Sequence, residues 1–331
     1  MARPRVLSGI QPTGDLHLGN YLGAVRQWAA DQHEADAFFC VVDLHALTVA
    51  REPGQLRAQT LETALALVAA GLDPDVCTLF VQSHLPEHTQ LSWILECVAG
   101  MGELRRMTQF KEKAKGGEDT TARVGLFTYP VLQAADILLY DADRVPVGDE
   151  QRQHLELCRD LAIRFNHRYG GTFKVPEATV PKVGARIMDL QDPTAKMSKS
   201  AETLRGVILI LDEPEAIDRK FRRAVTDPGA QIRFDPEHKP GVSNLLPILG
   251  AATDQDPEAL AEEFEDYASL KKAVTEAVVE MLRPVRERYL ELATDPRGTE
   301  DFLAKGAAKA SSVAATTLRR AQDAIGLYRP S

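Results

Sequence analysis

Two groups of residues in this 331-residue chain have the types and spacing to handle a polyphosphate. The first, Thr13-Gly14-Asp15-Leu16-His17-Leu18-Gly19-Asn20, follows the apolar Val6-Leu7-Ser8 and leads into Tyr21 to Trp28, whose apolar positions recur at helical spacing. In such a strand, glycine turn and helix, the helix N-terminus attracts phosphate through its N–H groups and dipole. Gly19 lets a nucleotide approach the backbone, and His17 and Asn20 can donate hydrogen bonds. The second group, Lys196-Met197-Ser198-Lys199-Ser200, sets two ammonium groups three residues apart in a polar loop. That suits the charge developing on a pentavalent α-phosphate and a departing pyrophosphate. A lone histidine before glycine reads as a turn residue and a lone lysine loop as solvated surface. Their occurrence together, in this order on an α/β pattern, points to two halves of one ATP-handling site.

A third group lies between them. Tyr129, Gln133, Asp136 and Tyr140 fall at i, i+4, i+7 and i+11, so one face of an otherwise apolar helix carries a row of polar tips. A buried carboxylate there needs a partner. One reading is an internal network that locks the helix; the other is a pocket in which Asp136 accepts a hydrogen bond from an aromatic substrate. The next segment, Val145 to Glu156, reads as strand, glycine turn and polar helix start, bringing a second ribose- or phosphate-binding turn beside the first. It favours the pocket.

These residues need a scaffold. Ala37 to Val42 and Cys77 to Val81 are short continuous apolar runs of the kind buried in a parallel sheet. Gln55 to Ala70 between them carries an apolar stripe ended by Gly71, which completes a doubly wound strand, crossover helix and strand. After Ser200 the pattern turns helical over Pro214–Arg223, Pro257–Tyr267, Leu270–Ala293 and Thr299–Ile325, with Asp256-Pro257 as N-cap and first turn. Pro284 is expected to kink or divide the third. The organisation expected is therefore residues 1–190 as an α/β domain, 191–205 as a loop and linker, and 206–331 as a helical unit whose last helix packs back on the first domain.

Composition sets limits. With 44% hydrophobic and 26% charged residues the chain reads as an ordinary soluble globular protein, and no apolar run reaches membrane-spanning length. No apolar signal region follows the N-terminus, so a cytoplasmic location and no membrane association are expected. Cys40, Cys77, Cys97 and Cys158 are too far apart for a paired metal or redox motif and read as small buried hydrophobes; no metal site is expected. The net charge is −9, so a polyanionic partner requires local basic surface. Candidates are Arg105-Arg106 with Lys111, Lys113 and Lys115, then Arg219, Lys220, Arg222 and Arg223, and finally Arg319-Arg320.

The first two groups resemble the two signatures of class I aminoacyl-tRNA synthetases, HIGH as His17-Leu18-Gly19-Asn20 and KMSKS as Lys196 to Ser200. Further blocks are Gly9-Ile10-Gln11-Pro12-Thr13-Gly14, Met107 to Lys113, Ala134 to Tyr140, Val145-Pro146-Val147-Gly148, Pro181 to Met188 and Ser243-Asn244-Leu245-Leu246. Together they resemble the bacterial-type tryptophan–tRNA ligases from end to end.

The resemblance implies a Rossmann-like catalytic domain with a smaller all-helical domain that recognises the anticodon. It also implies formation of tryptophanyl-adenylate from L-tryptophan and ATP, with Mg2+ carried on the nucleotide. The partners it implies are tRNA(Trp) and, in a homodimer, a second copy. By matching position, ATP would be contacted by Gln11, Pro12, Thr13, Gly19, Asn20, Gly148, Asp149, Glu150, Ile187, Lys196, Met197, Ser198, Lys199 and Ser200. Catalytic groups would be His17, Asn20, Lys113, Lys196 and Lys199. Asp136 would hold the indole N–H, with Gly9, His45, Tyr129, Gln133, Ile137, Val145, Val147 and Gln151 around the amino acid.

Two departures stand out. Gly148-Asp149-Glu150-Gln151 reverses the two acids usual in the family, and Gln133 replaces a frequent methionine. The resulting Tyr-Gln-Asp face also resembles tyrosine–tRNA ligases, which makes tyrosine the runner-up substrate. A catalytically silent RNA-binding or regulatory paralogue is the reading from another class; the intact lysine loop and His17 weigh against it.

Overall fold

The computed structural model describes residues 3–108, 123–146, 148, 151–179, 186–198, 203–229 and 231–328. Among these described residues five strands form one parallel sheet in the order β3-β2-β1-β4-β5: β1 Arg5–Ile10, β2 Asp36–Val41, β3 Thr78–Val81, β4 Arg144–Pro146 and β5 Glu177–Thr179. The two apolar runs expected as strands are β2 and β3. Their period-2 alternation feeds two cores: Ala37, Phe39, Val41, Leu79 and Val81 on one face, Phe38, Cys40 and Phe80 with Leu7 on the other. Burial on both faces explains why the strands read as continuous apolar runs. Strand order grows outward in both directions from β1, so the chain reverses between β1 and β4. Ligand crevices in open α/β sheets lie beyond the carboxyl ends of strands at such a switch point.

The first half supplies α1, made of an α turn Leu18–Asn20, a wider π turn Tyr21–Val25 and an α segment Arg26–Asp31. It continues with α2 Asp43–Ala46, α3 Pro53–Ala69, α4 Glu87–Glu96, α5 Met101–Arg105, α6 Val124–Leu138 and α7 Arg152–Tyr169. The second half is helical: α8 Pro214–Arg222, α9 Pro240–Thr253, α10 Pro257–Leu260, α11 Tyr267–Ala293 and α12 Pro296–Ala324.

Helix α9 lies outside every helix expected from the sequence. Its Gly241, Asn244, Pro247 and Gly250 mimic a loop. Burial of Val242, Leu245, Leu246, Ile248 and Leu249 decides its conformation, and the Asp227 carboxylate caps its start by accepting the N–H groups of Gly241 at 2.8 Å and Val242 at 2.9 Å. Pro284 does not divide α11, which runs unbroken and packs on α3, α8 and α9, burying Leu282 and Val285 on either side of the proline. The Asp256 cap forms as expected, accepting Ala259 N–H at 3.1 Å, but the helix it opens is a short one.

Helix α12 crosses the free edge of the sheet. Leu303 joins one core, Ala310, Ala314, Leu318 and Ala321 join the other, and Gly306 passes against edge strand β3. A row of small residues lets the helix come close enough to cover an edge that would otherwise offer unpaired backbone groups. Cys40, Cys77 and Cys158 are buried thiols, whereas Cys97 is exposed, contrary to its expected burial. Among the described residues no helix is long and apolar enough to cross a membrane.

Candidate active site

The turn after β1 begins with Thr13 N–H donating to the Gln11 carbonyl at 2.9 Å and passes through Gly14 at φ +107°, a left-handed conformation that favours glycine. Leu16–Leu18 then pairs antiparallel with Ile208–Ile210 through Leu18 N–H to the Ile208 carbonyl at 2.8 Å and Ile210 N–H to the Leu16 carbonyl at 2.9 Å. The chain just beyond the lysine loop thus holds the histidine turn.

His17 caps α1 reciprocally with Asn20: its Nδ1 accepts Asn20 N–H at 3.2 Å, and Asn20 Oδ1 accepts His17 N–H at 3.4 Å. The cap gives both side chains an accepting role beside the donation expected of them. With Nδ1 accepting, the ring proton belongs on Nε2, which makes that nitrogen a donor. A Cβ on Gly19 would stand 3.0 Å from His17 Nδ1 and 3.7 Å from Ile187 Cβ, so the histidine turn lies against the strand that bears Ile187.

The lysine loop springs from a β-hairpin. Asp189 N–H donates to the Ala195 carbonyl at 2.9 Å and Met197 N–H to the Ile187 carbonyl at 3.0 Å, which sets Met188 opposite Lys196. Asp189 Oδ1 shapes the bend by accepting Gln191 N–H at 2.7 Å. Ile187 and Met197, both expected against ATP, are 1% exposed and anchor the hairpin in the core. Lys196 is exposed and Ser198 half-buried. Lys113, Val147, Asp149, Glu150, Lys199 and Ser200 lie outside the described residues. Gln11 and Gly148 are exposed at the ends of β1 and β4, Pro12 is buried beside them, and the Gly148 carbonyl accepts Gln151 N–H at 2.9 Å.

On the other side of the sheet ends Asp136 is 5% exposed and takes three hydrogen bonds, each 2.7 Å: His45 Nε2 to Oδ2, and Gln82 Nε2 and His88 Nδ1 to Oδ1. Burial alone would raise its pKa; the bonds from His45 and His88 outweigh that and hold the carboxyl well below the usual carboxylate range. His88 links onward, its Nε2 lying 2.9 Å from the Tyr140 hydroxyl. With Nδ1–H given to the carboxylate, Nε2 accepts the phenol proton, and burial pushes that phenol well above its ordinary value.

The row read from the sequence therefore splits. Asp136 and Tyr140 belong to a buried network, Tyr140 sitting beyond the end of α6 rather than on it. Tyr129 and Gln133 face Gln151 and His154 instead: Tyr129 OH lies 2.9 Å from His154 Nε2, and Gln133 Nε2 donates to Gln151 Oε1 at 3.2 Å. Burial pushes the Tyr129 phenol up to about 12, so it stays a donor at neutral pH. The His45 and Tyr129 rings meet edge to face at 6.2 Å, joining the two groups. Gly9 is exposed at the end of β1, whereas Ile137 and Val145 bury their side chains in the core beneath.

A glycine turn after β1, the lysine hairpin docked beside it and a hydrogen-bonded carboxylate held by residues after β2 and β3 thus all belong to the carboxyl ends of the strands. Over residues 1–283 the chain matches the family described as tRNA synthetases class I (W and Y). The chain belongs to this family. It is 56% identical over 332 residues to tryptophan–tRNA ligase 1 of Streptomyces coelicolor, covering 98% of each chain. It superposes on tryptophanyl-tRNA synthetase of Mycoplasma pneumoniae with a TM-score of 0.91 at 39% identity, covering 98% of both chains. The Campylobacter jejuni enzyme, crystallised with ADP and tryptophan, gives 0.83 at 35% identity over 98% of this chain and 100% of that one.

Within this class I frame four residues escaped the sequence reading as site components. Gln82 and His88 support the pocket carboxylate, His154 meets Tyr129, and Asn244 holds the lysine hairpin. A signal for Gln82 was available: a polar residue directly after the carboxyl end of β3 lies where ligand sites of such sheets form.

Proposed function

We propose that this chain activates L-tryptophan with ATP and transfers it to tRNA(Trp). What supports the reading is end-to-end alignment with a tryptophan–tRNA ligase, in a chain whose His17 turn packs against the lysine-hairpin strand and whose buried Asp136 is held by His45. A carboxylate offers about four lone-pair sites. Three on Asp136 are filled by His45, Gln82 and His88, and the fourth accepts the indole N–H. Gly9, Tyr129, Gln133 and Gln151 surround the amino acid, with Ile137 and Val145 as the apolar floor. ATP lies across the switch point, against Gln11 to Thr13 and Gly19 on one side and Gly148 with Asp149 and Glu150 on the other.

In the first step a tryptophan carboxylate oxygen bonds to the α-phosphorus, the bond to the β-phosphate breaks, and pyrophosphate leaves with the electron pair. The carboxylate is ionised at neutral pH and needs no general base. Catalysis is then positioning and charge stabilisation, by Nε2 of His17 and by the ammonium groups of Lys113, Lys196 and Lys199. Magnesium enters on the phosphates of ATP as part of that substrate. In the second step a terminal ribose hydroxyl of the tRNA attacks the acyl carbon, the mixed anhydride breaks and AMP departs.

The helical second half is the proposed anticodon-binding unit, and a homodimer is the proposed assembly. Trp93, Met101 and Val124 expose apolar side chains around a groove of about 560 Å3, a feature that fits a self-association surface. A cytoplasmic location fits substrates such as ATP and tRNA. The deciding experiment is ATP–pyrophosphate exchange with each of the twenty amino acids. Exchange with tryptophan alone supports the reading, preference for tyrosine replaces the substrate, and exchange with none replaces the enzyme by a binding protein.

A further inference from the structure

We propose that Asn244 is a positioning residue for adenylate formation, fixing the strand from which the lysine loop springs. The proposal rests on the synthetase reading above. Asn244, on α9, is 4% exposed. Its Oδ1 accepts Met188 N–H at 2.8 Å and its Nδ2 donates to the Met188 carbonyl at 2.9 Å.

Hairpin geometry explains why this matters. The two backbone bonds of the hairpin run from Asp189 N–H and Met197 N–H, so Met188 and Lys196 form the non-hydrogen-bonded pair between them. The N–H and C=O of Met188 therefore point away from Lys196, toward where a third strand would lie. Among the described residues no third strand is there. An asparagine side chain carries the donor and acceptor of a peptide group, and Asn244 takes the place of that strand at this one residue.

Helix α9 is itself braced. Asp227 caps its start, and Arg26 of α1 binds the Ala251 carbonyl and pairs with Asp254 at 2.9 Å at its end. Asn244 thus refers the hairpin to a helix tied to the same α1 that His17 caps. Burial of Ile187 and Met197 keeps the hairpin docked in any case; the amide sets where along and across the core Lys196 stands.

The test compares wild type with Asn244→Ala and Asn244→Asp in single-turnover adenylate formation, well below each melting temperature. The Ala variant leaves two backbone groups unpaired, and the Asp variant turns a carboxylate oxygen on the Met188 carbonyl. A misplacement near 1 Å costs about 100-fold in rate, so we expect a fall of about 10- to 100-fold in both. Tryptophan affinity without ATP, set by the Asp136 pocket, should stay within about twofold. In a Lys196→Ala background the Asn244→Ala effect should shrink to about threefold or less, because coupled residues are not additive. A folded Asn244→Ala enzyme with the wild-type rate overturns the proposal, as does a full additive loss in the Lys196→Ala background. Should Asn244→Ala fail to fold, Asn244→Ser, which keeps one hydroxyl partner, enters the same assays; failure of both to fold overturns the proposal by making the residue purely structural. A wild-type chain that forms no adenylate refutes the functional reading itself, a distinct outcome.

Discussion

A methyl group placed on Gly306 would come within 1.8 Å of the carbonyl oxygen of Leu79. The last helix lies so close to the sheet edge that its backbone touches the strand's backbone, and neither can yield as a flexible side chain would. Gly306→Ala should therefore destabilise the fold by about 3 kcal/mol or more, despite the better helix propensity of alanine. Thermal and urea melts check this. The exposed neighbour Lys305→Ala, as control, should change stability by no more than about 0.5 kcal/mol.

Asp136→Ala would orphan three buried donors at once, so the sharper variant is Asp136→Asn, which keeps the shape and one acceptor. A pocket that reads the indole N–H through the carboxylate should then lose about 2 kcal/mol or more in kcat/KM for tryptophan, roughly 30-fold. Phenylalanine, with no ring donor, should show little change in its weak activation. Equal loss for both substrates would make Asp136 a purely structural hub.

The same carboxylate sets a pH dependence. Its folded pKa lies below the unfolded value because the bonds from His45 and His88 outweigh burial. The unfolded state therefore binds more protons in the window below about pH 4, and stability falls there as pH falls. Above that window the contribution is fully present. Urea melts at stepped pH should show a steeper loss of stability below pH 4 for wild type than for Asp136→Asn; parallel curves would contradict this.

The loop ammonium groups should act more on the transition state than on bound ATP. Lys196→Ala and Lys199→Ala should each slow adenylate formation by about 100-fold, a few kcal/mol, while changing ATP affinity far less. Rapid-quench kinetics against equilibrium ATP binding separates the two. Weakened binding at an unchanged single-turnover rate would remove the lysines from the chemistry.

The basic cluster on α8 needs pruning before it is tested for RNA contact. Lys220 is half-buried and pairs with Asp212 at 2.5 Å, and Arg222 pairs with Asp218 at 2.9 Å, whereas Arg219 and Arg223 are exposed. Replacing Arg219 and Arg223 by glutamine should weaken tRNA charging and flatten its salt dependence while leaving pyrophosphate exchange intact. Equal loss in both assays would place the pair in the fold or the active site instead.

What could be read from the sequence is local in its physics. Gly14 and Gly19 mark a turn because glycine best suits a left-handed φ or so close a neighbour, and the helix start falls at His17 because the helical apolar spacing begins just after it. Strands β2 and β3 betray themselves by unbroken apolar runs, and the lysine loop by charge spacing. Tertiary structure decided the rest, because it depends on what distant segments bring. Asp136 acquired Gln82 and His88 from beyond another strand, Ile187 and Met197 turned inward because the core beneath them had room, and Asn244 found Met188 across the fold. Helix α9 and unbroken α11 carry glycine and proline that argue locally for a loop and a kink, and only burial against neighbouring helices outweighs that cost. Gly306 shows the same limit from the other side: within its helix it is a weak point, and only the Leu79 carbonyl across the gap explains it. Spacing along a chain encodes periodicity and charge; the partner of a buried polar group is chosen by packing.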